Sequence, residues 1–304
     1  MRFCVPLLLA LAAFNLGYVY SDDSAKTTFY GESDKGLPEK VEPRVYISSR
    51  ALTKADIKAL RAAKVTDMTL VDVAVEDDVR VKELFTADLQ TLTVLDPGDT
   101  RISRPRVRVT TWLTDLGEEA PNLRSLKVTA RSYGSKWDFL NKLEKLEELE
   151  VTGYRLNQGD LETLRLSKVR KLRLSRTGLT DSNLERLVKA MPELETLTIS
   201  DQPFNGRGLA ALAGLKKLKA LSIVSCALDE ENLKHSAKYP ALESLTLHTP
   251  EAPRQDPVGT VGLEHVRGIA GLKTLGIYVS DANKAAVAKF KKDTPKVKVT
   301  EMTY

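Results

Sequence analysis

The segment from Leu172 to Ile199 reads LRLSRTGLTDSNLERLVKAMPELETLTI and changes its apolar period twice. At both ends (LRL and LTI) apolar residues alternate with polar ones, as in a half-buried strand. Between them the apolar residues of LERLV recur every three or four positions, as in an amphipathic helix. Thr180 and Asp181 stand just before that helix and are candidate N-cap residues, since a short side-chain oxygen accepts from the first free N–H groups. The segment therefore predicts a strand, a helix and a second strand.

The same pattern, Leu-x-x-Leu-x-(Leu, Ile or Val), recurs along most of the chain. Successive copies begin 23–25 residues apart in six steps, and 34 and 30 residues apart in the two others. The nine copies begin at Val65, Leu89, Leu123, Leu146, Val169, Leu194, Leu218, Leu242 and Leu272. Such a period predicts stacked strand–helix units, each of which buries its apolar face only against its neighbours.

From about Val65 to the C-terminus the chain resembles leucine-rich repeat proteins of the helical type, with units of about 24 residues. The segment from Leu172 to Ile199 is similar to secreted bacterial members. The resemblance implies an α/β solenoid, with a parallel sheet on the concave face and helices on the convex face. It also implies a recognition role, since the inner face is the usual binding surface of a solenoid.

One position departs from the pattern of that family. Three residues after the third apolar position, the family places an Asn or Cys whose side chain forms a buried ladder. In this chain only Cys226 fits, so we expect the ladder to be largely missing. The corresponding residues elsewhere are Arg131, Tyr154, Thr177, Gln202, Pro250 and Ser280.

The N-terminus predicts a secretory signal peptide over residues 1–21. Arg2 is followed by the apolar stretch Phe3–Phe14, and Ser21 stands before the expected cut at Asp22. We therefore expect a secreted or periplasmic protein with no transmembrane segment after cleavage.

Residues 22–43 are rich in Ser, Lys, Glu and Gly and predict a flexible lead-in. Residues 44–304 then form the leucine-rich repeat domain of about nine repeats, with a capping strand at Arg44–Ile47 and another at Val297–Thr300. With 42% apolar residues, the composition excludes a disordered chain. Its 46 basic and 41 acidic residues nearly balance, so charge alone does not favour a nucleic-acid partner.

The sequence contains no recognisable catalytic, metal or cofactor site. Its three histidines, His235, His248 and His265, lack the spacing of metal ligands. No nucleophile elbow, P-loop or dinucleotide fingerprint is present. Cys226 is the one cysteine left after cleavage, and its place in the repeat predicts a buried structural thiol rather than a reactive one. We therefore expect neither catalysis nor a cofactor.

Most side chains predicted on the inner face are small and polar, and Ser or Thr fills more than half of these positions. Two groups differ from this background and are candidate partner-binding residues. The first is a charged group on three successive strands, which either forms cross-strand ion pairs or recognises a charged partner. The second lies near the C-terminal end. The two groups are Lys127, Glu148, Glu150, Lys171 and Arg173, and then His248 and Tyr278.

Two repeats carry insertions, which leave a solenoid as loops and often have functions. The first insertion is rich in arginine and is a candidate site for an acidic polysaccharide or phosphate. Alternating arginines also fit a solvated edge strand. The arginines are Arg101, Arg104, Arg106 and Arg108. The second insertion spans residues 249–257.

The sequence thus predicts a non-enzymatic, exported module that binds a protein or cell-envelope component through the concave face. Anion binding through the arginine loop and a purely structural envelope role are the alternatives.

Overall fold

The computed structural model describes residues 28–30, 37, 41–75, 81–95, 113–129, 137–153, 155, 158–248 and 258–303. Within these ranges twelve strands form a single sheet, and their order in the sheet is their order in the chain. Every neighbouring pair is parallel. The strands are β1 Thr28–Tyr30, β2 Arg44–Leu52, β3 Asp67–Val75, β4 Thr91–Leu95, β5 Ser125–Thr129, β6 Glu148–Thr152, β7 Lys171–Ser175, β8 Thr196–Ser200, β9 Ala220–Val224, β10 Ser244–His248, β11 Thr274–Tyr278 and β12 Lys298–Met302.

Helices follow most strands and connect them to the next. The α-helices are Lys54–Ala62, Leu116–Glu119, Gln158–Thr163, Asp181–Ala190, Thr260–Arg267 and Lys284–Asp293. The 3₁₀ helices are Val81–Leu84, Asp138–Lys142, Arg207–Gly214 and Glu230–Lys238. Helices of consecutive repeats contact one another, so they form a second layer in the same order as the strands. The fold is an α/β leucine-rich repeat solenoid, as the repeat predicts.

The core lies between the two layers and is continuous along the solenoid. Neighbouring strands pair without a shift, so that Leu172 lies opposite Leu197 and Leu174 opposite Ile199. Leu184 of the following helix closes the core from the other side and is fully buried. Each such leucine contributes about 1.5–3 kcal/mol through burial. The Leu-x-x-Leu-x-Leu pattern fixes the fold because it supplies these residues in every unit.

The N-terminal end of the sheet differs from the prediction. Arg44–Leu52 is not the outermost strand, because Thr28–Tyr30 pairs with it in parallel. Leu37 is also anchored there, since its N–H donates to the Asp56 carboxylate at 2.6 Å. The closing strand predicted at the C-terminal end is confirmed as Lys298–Met302. The predicted signal peptide, residues 1–21, lies outside the described residues.

A tight turn follows the strand in four consecutive repeats. Gly153, Arg176, Asp201 and Ser225 each stand two positions after the third apolar residue and adopt a positive φ, between 50° and 75°. Their N–H groups donate to the last residue of the next strand, as from Asp201 to the Val224 carbonyl at 3.0 Å. Three of the four are not glycine, although this conformation costs about 1–2 kcal/mol per L-residue. The turn is therefore imposed by repeat stacking.

The buried ladder that we expected to be largely missing is present over three consecutive repeats, where two of its three residues are neither Asn nor Cys. Thr177, Gln202 and Cys226 occupy the ladder position in three consecutive repeats, and each is at most 5% exposed. The Gln202 amide donates to the Thr177 hydroxyl at 3.1 Å and accepts from the Leu179 N–H at 2.9 Å. The Cys226 thiol donates to the Ile199 carbonyl at 3.7 Å. At Thr177 and Gln202 the expectation was wrong, because hydroxyl and amide groups satisfy the turn as the family's Asn does, whereas Cys226 fits as predicted. Arg131, Tyr154 and Pro250 lie outside the described residues.

The helix layer is joined by side chains that cap the helix of the next repeat. Thr180 is the N-cap of Asp181–Ala190, but its hydroxyl contacts Ser182 at 3.0 Å and does not cap its own helix. The Asp181 carboxylate instead accepts from the N–H groups of Asn205 at 3.1 Å and Gly208 at 2.7 Å, at the start of the next helix. A Cβ at Gly208 would lie 2.5 Å from the Asp181 carbonyl oxygen. Only glycine allows this approach.

No helix in the described ranges is long and apolar enough to cross a membrane.

Candidate functional site

The open face of the sheet carries the side chains that point away from the helices, and the register sets them in straight rows. One row runs through Lys127, Glu150 and Arg173, on strands β5, β6 and β7. A parallel row places Glu148 opposite Lys171. The structure therefore brings together all five charged residues predicted from the sequence, on adjacent strands about 4.8 Å apart.

The charges in these rows are paired across strands. Lys171 Nζ lies 2.5 Å from Glu148 Oε1, and Arg173 Nε lies 3.9 Å from Glu150 Oε2. Among the described residues, no acid lies within ion-pair distance of Lys127. Cross-strand ion pairing is thus present for Lys171 and Arg173. It is compatible with recognition, because exposed pairs contribute little to stability and exchange readily.

Two further cations belong to the same group. Arg170 stands just before β7 and lies 3.8 Å from Glu195, whereas Arg176 stands just after it and lies 3.9 Å from Asp201. Neither residue was predicted, because both flank β7 and strand alternation identifies outward positions only within the strand. The available signal was compositional: residues 163–180 contain six cations and no acid.

A second row of charges runs along the N-terminal ends of the strands. Each residue directly precedes a strand, and consecutive members have opposite signs. Their backbones are hydrogen-bonded in register at 2.7–2.9 Å. The row is Arg124, Glu147, Arg170, Glu195, Lys219, Glu243 and Lys273. Its side chains largely satisfy one another, as in Lys219–Glu195 at 2.9 Å and Lys273–Glu243 at 2.8 Å.

The predicted second contact region is only partly exposed. The rings of His248 and Tyr278 meet edge to face, with centroids 5.5 Å apart and planes at 67°. Tyr278 is only 6% exposed, although alternation places it on the same face as His248, against whose ring it packs. Of this pair, only the half-buried His248 ring reaches the protein surface. Tyr278 is therefore not a surface contact residue.

Within strands β8–β11 the open face carries small side chains and no charged pair among the described residues. The pairs Lys219–Glu195 and Lys273–Glu243 lie at the N-terminal ends of these strands. Thr196, Ser222, Ser244 and Thr246 are half-buried there, and Thr274 donates to Ser244 at 2.8 Å. This half of the face is smooth and polar.

The described residues show no group of three His, Cys, Asp or Glu side chains that could hold a metal ion. Cys226 is buried, as predicted, and burial raises the pKa of its thiol to about 11. A thiol with that pKa is protonated at neutral pH and is a weak nucleophile. His235 and His265 are half-buried in the helix layer.

Arg101, Arg104, Arg106 and Arg108 lie outside the described residues, as does the second insertion at 249–257. Anion binding through the arginine loop therefore stays a prediction.

The fold and its open face define a leucine-rich repeat solenoid with a polar, partly charged sheet surface. Neither models of known protein families nor curated proteins match the chain. Among solved structures, the chain is similar to an internalin (inlF) from Listeria monocytogenes str. 4b F2365, at 16% sequence identity and a TM-score of 0.49. That match covers 91% of this chain and 86% of the internalin chain. A similarity at this level carries no functional conclusion, so the function is argued from the residues of this chain.

Proposed function

We propose that this protein is a non-enzymatic, exported module that binds a protein or cell-envelope component through the open face of its sheet. The observation that carries the proposal is the exposed charged group of β5–β7, held in register on a rigid sheet. Lys171 and Arg173 have 63% and 53% of their side chains exposed, although both are anchored to a carboxylate. A partner can therefore meet preorganised charges without ordering the backbone.

The chemistry of the described residues supports binding rather than catalysis. The buried Cys226 is protonated at neutral pH, and no group of three His, Cys, Asp or Glu side chains among the described residues could hold a metal ion. A thiolate nucleophile and a bound metal are two common ways of activating a substrate or water.

The N-terminal sequence supports export. Arg2 and the apolar stretch Phe3–Phe14 have the pattern of a signal peptide, and cleavage before Asp22 leaves Cys226 as the one cysteine. A chain with a single buried thiol suits an oxidising compartment, because it cannot form wrong intramolecular disulfides.

The test is chemical crosslinking of the mature chain, beginning at Asp22, in the envelope and medium of the source cells. Thr196→Arg/Ser222→Arg adds two bulky side chains to the open face. Ala210→Arg/Ala288→Arg adds the same charge and bulk to exposed positions of the helix layer.

We expect a saturable crosslinked partner with the wild type and the helix-layer variant, and its loss with the open-face variant. Equal capture by both variants would place the binding surface elsewhere. Absence of any saturable partner with the wild type would contradict the proposal and favour the structural envelope role.

A further inference from the structure

Strand β7 and the residues directly before and after it contain four cations, which form a line along the strand. Arg170 precedes the strand, Lys171 and Arg173 point outward from it, and Arg176 follows it. Each cation pairs with an acid of an adjacent repeat. The paired acids are Glu195, Glu148, Glu150 and Asp201, in the same order. The line of cations is thus bordered by carboxylates on both sides.

In every one of these four pairs the cation is more exposed than its acid. The cationic side chains are 53–63% exposed, and the acidic ones 17–43%. Three of the pairs are long, at 3.8–3.9 Å. Glu195 also accepts from Lys219 at 2.9 Å, so its ion pair with Arg170 is weak. The acids therefore orient the cations while leaving their outer surface open to a second carboxylate.

The width of this line restricts the shape of its ligand. Along a strand, alternate residues lie about 6.6–6.8 Å apart, and neighbouring strands lie about 4.8 Å apart. A ligand over β7 therefore meets cations along its length and carboxylates to either side. A nucleic-acid duplex is several strands wide, so its phosphates would also face the bordering acids and be repelled by them. An extended peptide matches the width of one strand, and acidic side chains at alternate positions match the spacing of Lys171 and Arg173.

We infer that β7 is the recognition strand for an extended acidic segment of a protein partner, with Lys171, Arg173 and Arg176 contacting its carboxylates. This inference rests on the proposed function and specifies the chemistry of the partner. The acidic segment lies along β7 on the open face, and its carboxylates contact the exposed outer sides of these three cations. The smooth polar half at β8–β11 accommodates the rest of the partner.

The test uses fluorescence anisotropy with labelled ten-residue peptides and the mature protein. The probe alternates Glu and Ser, and the control peptide alternates Gln and Ser. A ten-nucleotide oligothymidylate measures binding of a general polyanion. The strand β7 variant is Lys171→Gln/Arg173→Gln/Arg176→Gln. The charge-matched variant is Lys216→Gln/Lys234→Gln/Lys238→Gln, which removes three exposed cations outside the open face.

We expect the wild type and the charge-matched variant to bind the Glu peptide at least tenfold more tightly than the Gln peptide. The strand β7 variant loses that preference, and the affinity of the wild type falls with added salt. An equal loss in the charge-matched variant would overturn the inference, since net charge would then explain the binding. Oligothymidylate binding as tight as that of the Glu peptide would overturn it as well.

The outcome is separable from that of the proposed function. A wild type that captures a partner through the open face, yet binds the Glu and Gln peptides equally, overturns the acidic-segment inference alone. If the wild type prefers the Glu peptide but the open-face variant still captures the partner, the β7 site is kept. The wider binding surface of the proposed function is then contradicted.

Discussion

Buried polar contacts and exposed charge pairs both join neighbouring repeats of this solenoid, and they differ in what their loss would do. Gln202 links Thr177 to the Leu179 backbone inside the fold, where water does not replace a lost partner. Lys171 and Glu148 link β7 to β6 on the open face, where water and ions do. An unsatisfied buried polar group costs about 1–3 kcal/mol, whereas an exposed ion pair is worth about 0.2–1 kcal/mol.

This difference separates stability from binding within one repeat. The buried contacts hold the turns and helix starts in place, and so keep the strands in register. The exposed pairs contribute little to folding and remain available to a partner. Substitutions of the buried contacts should lower the free energy of unfolding and leave partner binding unchanged. Substitutions of the exposed pairs should weaken partner binding and leave the free energy of unfolding nearly unchanged.

The largest effect on stability is expected at Asp56, whose side chain is 1% exposed. Its carboxylate accepts from the Leu37 N–H at 2.6 Å and the Thr53 N–H at 2.9 Å, and lies 3.3 Å from the Arg50 guanidinium. Asp56→Asn removes the negative charge facing Arg50 and one of the two carboxylate acceptors, and losing one side of a buried pair costs about 3–5 kcal/mol. Urea unfolding at pH 7 measures the loss.

The same substitution predicts a pH dependence. Burial favours the neutral acid at Asp56, but hydrogen bonds from Leu37 and Thr53 and the charge of Arg50 outweigh it, so the pKa of this carboxyl is lowered. A lowered folded pKa stabilises the fold at pH values above the unfolded pKa of about 3.9. The stability difference between wild type and Asp56→Asn is therefore full at pH 7 and shrinks below about pH 4. A difference that stays constant through that range would contradict the assignment.

The next largest effect is expected in the buried ladder. Gln202→Ala leaves the Leu179 N–H and the Thr177 hydroxyl without their present partner, at a cost of roughly 2–4 kcal/mol. Gln90→Ala removes an exposed glutamine and is the matched control, expected within about 0.5 kcal/mol of the wild type. Equal urea midpoints for the two variants would show that the ladder does not stabilise the fold.

A smaller effect is expected for capping between repeats. Asp181→Ala removes the acceptor of the Asn205 and Gly208 N–H groups, and loss of a helix cap costs about 0.5–2 kcal/mol. Asp88→Ala changes an exposed aspartate and serves as the control. Amide hydrogen exchange should accelerate in 205–214, the next repeat. Acceleration confined to the helix of Asp181 itself would refute a cap that crosses repeats.

The smallest effect on stability is expected for the strand β7 variant, Lys171→Gln/Arg173→Gln/Arg176→Gln. Its side chains are exposed, so the free energy of unfolding should stay within about 1 kcal/mol of the wild type. Thermal unfolding followed by circular dichroism measures this directly. A loss of unfolding free energy comparable to that of Gln202→Ala would mean that the β7 charges stabilise the fold. The difference between buried and exposed contacts would then not hold.

A structural feature could be predicted from the sequence where a short stretch of residues specifies it alone. The nine Leu-x-x-Leu-x-Leu copies predict the strands because each copy specifies its own strand and buried pair. The ladder of Thr177, Gln202 and Cys226 was not predictable by residue identity, since three different groups meet the same hydrogen-bonding need. The strand β1 was missed because three residues in a polar segment carry no period.

The candidate site was predictable in part for a related reason. Alternation along a strand identifies Lys171 and Arg173, but Arg170 and Arg176 flank the strand and follow no alternation. Alternation places Tyr278 on the open face, but it does not reveal that this residue is only 6% exposed at the end of β11. Positions at strand ends depend on the following turn, which the period does not specify.

The most direct test of this account measures urea stability and Glu-peptide affinity on the same two proteins, Gln202→Ala and the strand β7 variant. The account predicts that Gln202→Ala unfolds at a lower urea concentration but, while folded, binds the peptide like the wild type. The strand β7 variant keeps its unfolding midpoint and loses at least tenfold in affinity. Two variants that lose stability and affinity together would contradict the separation of buried and exposed contacts between repeats.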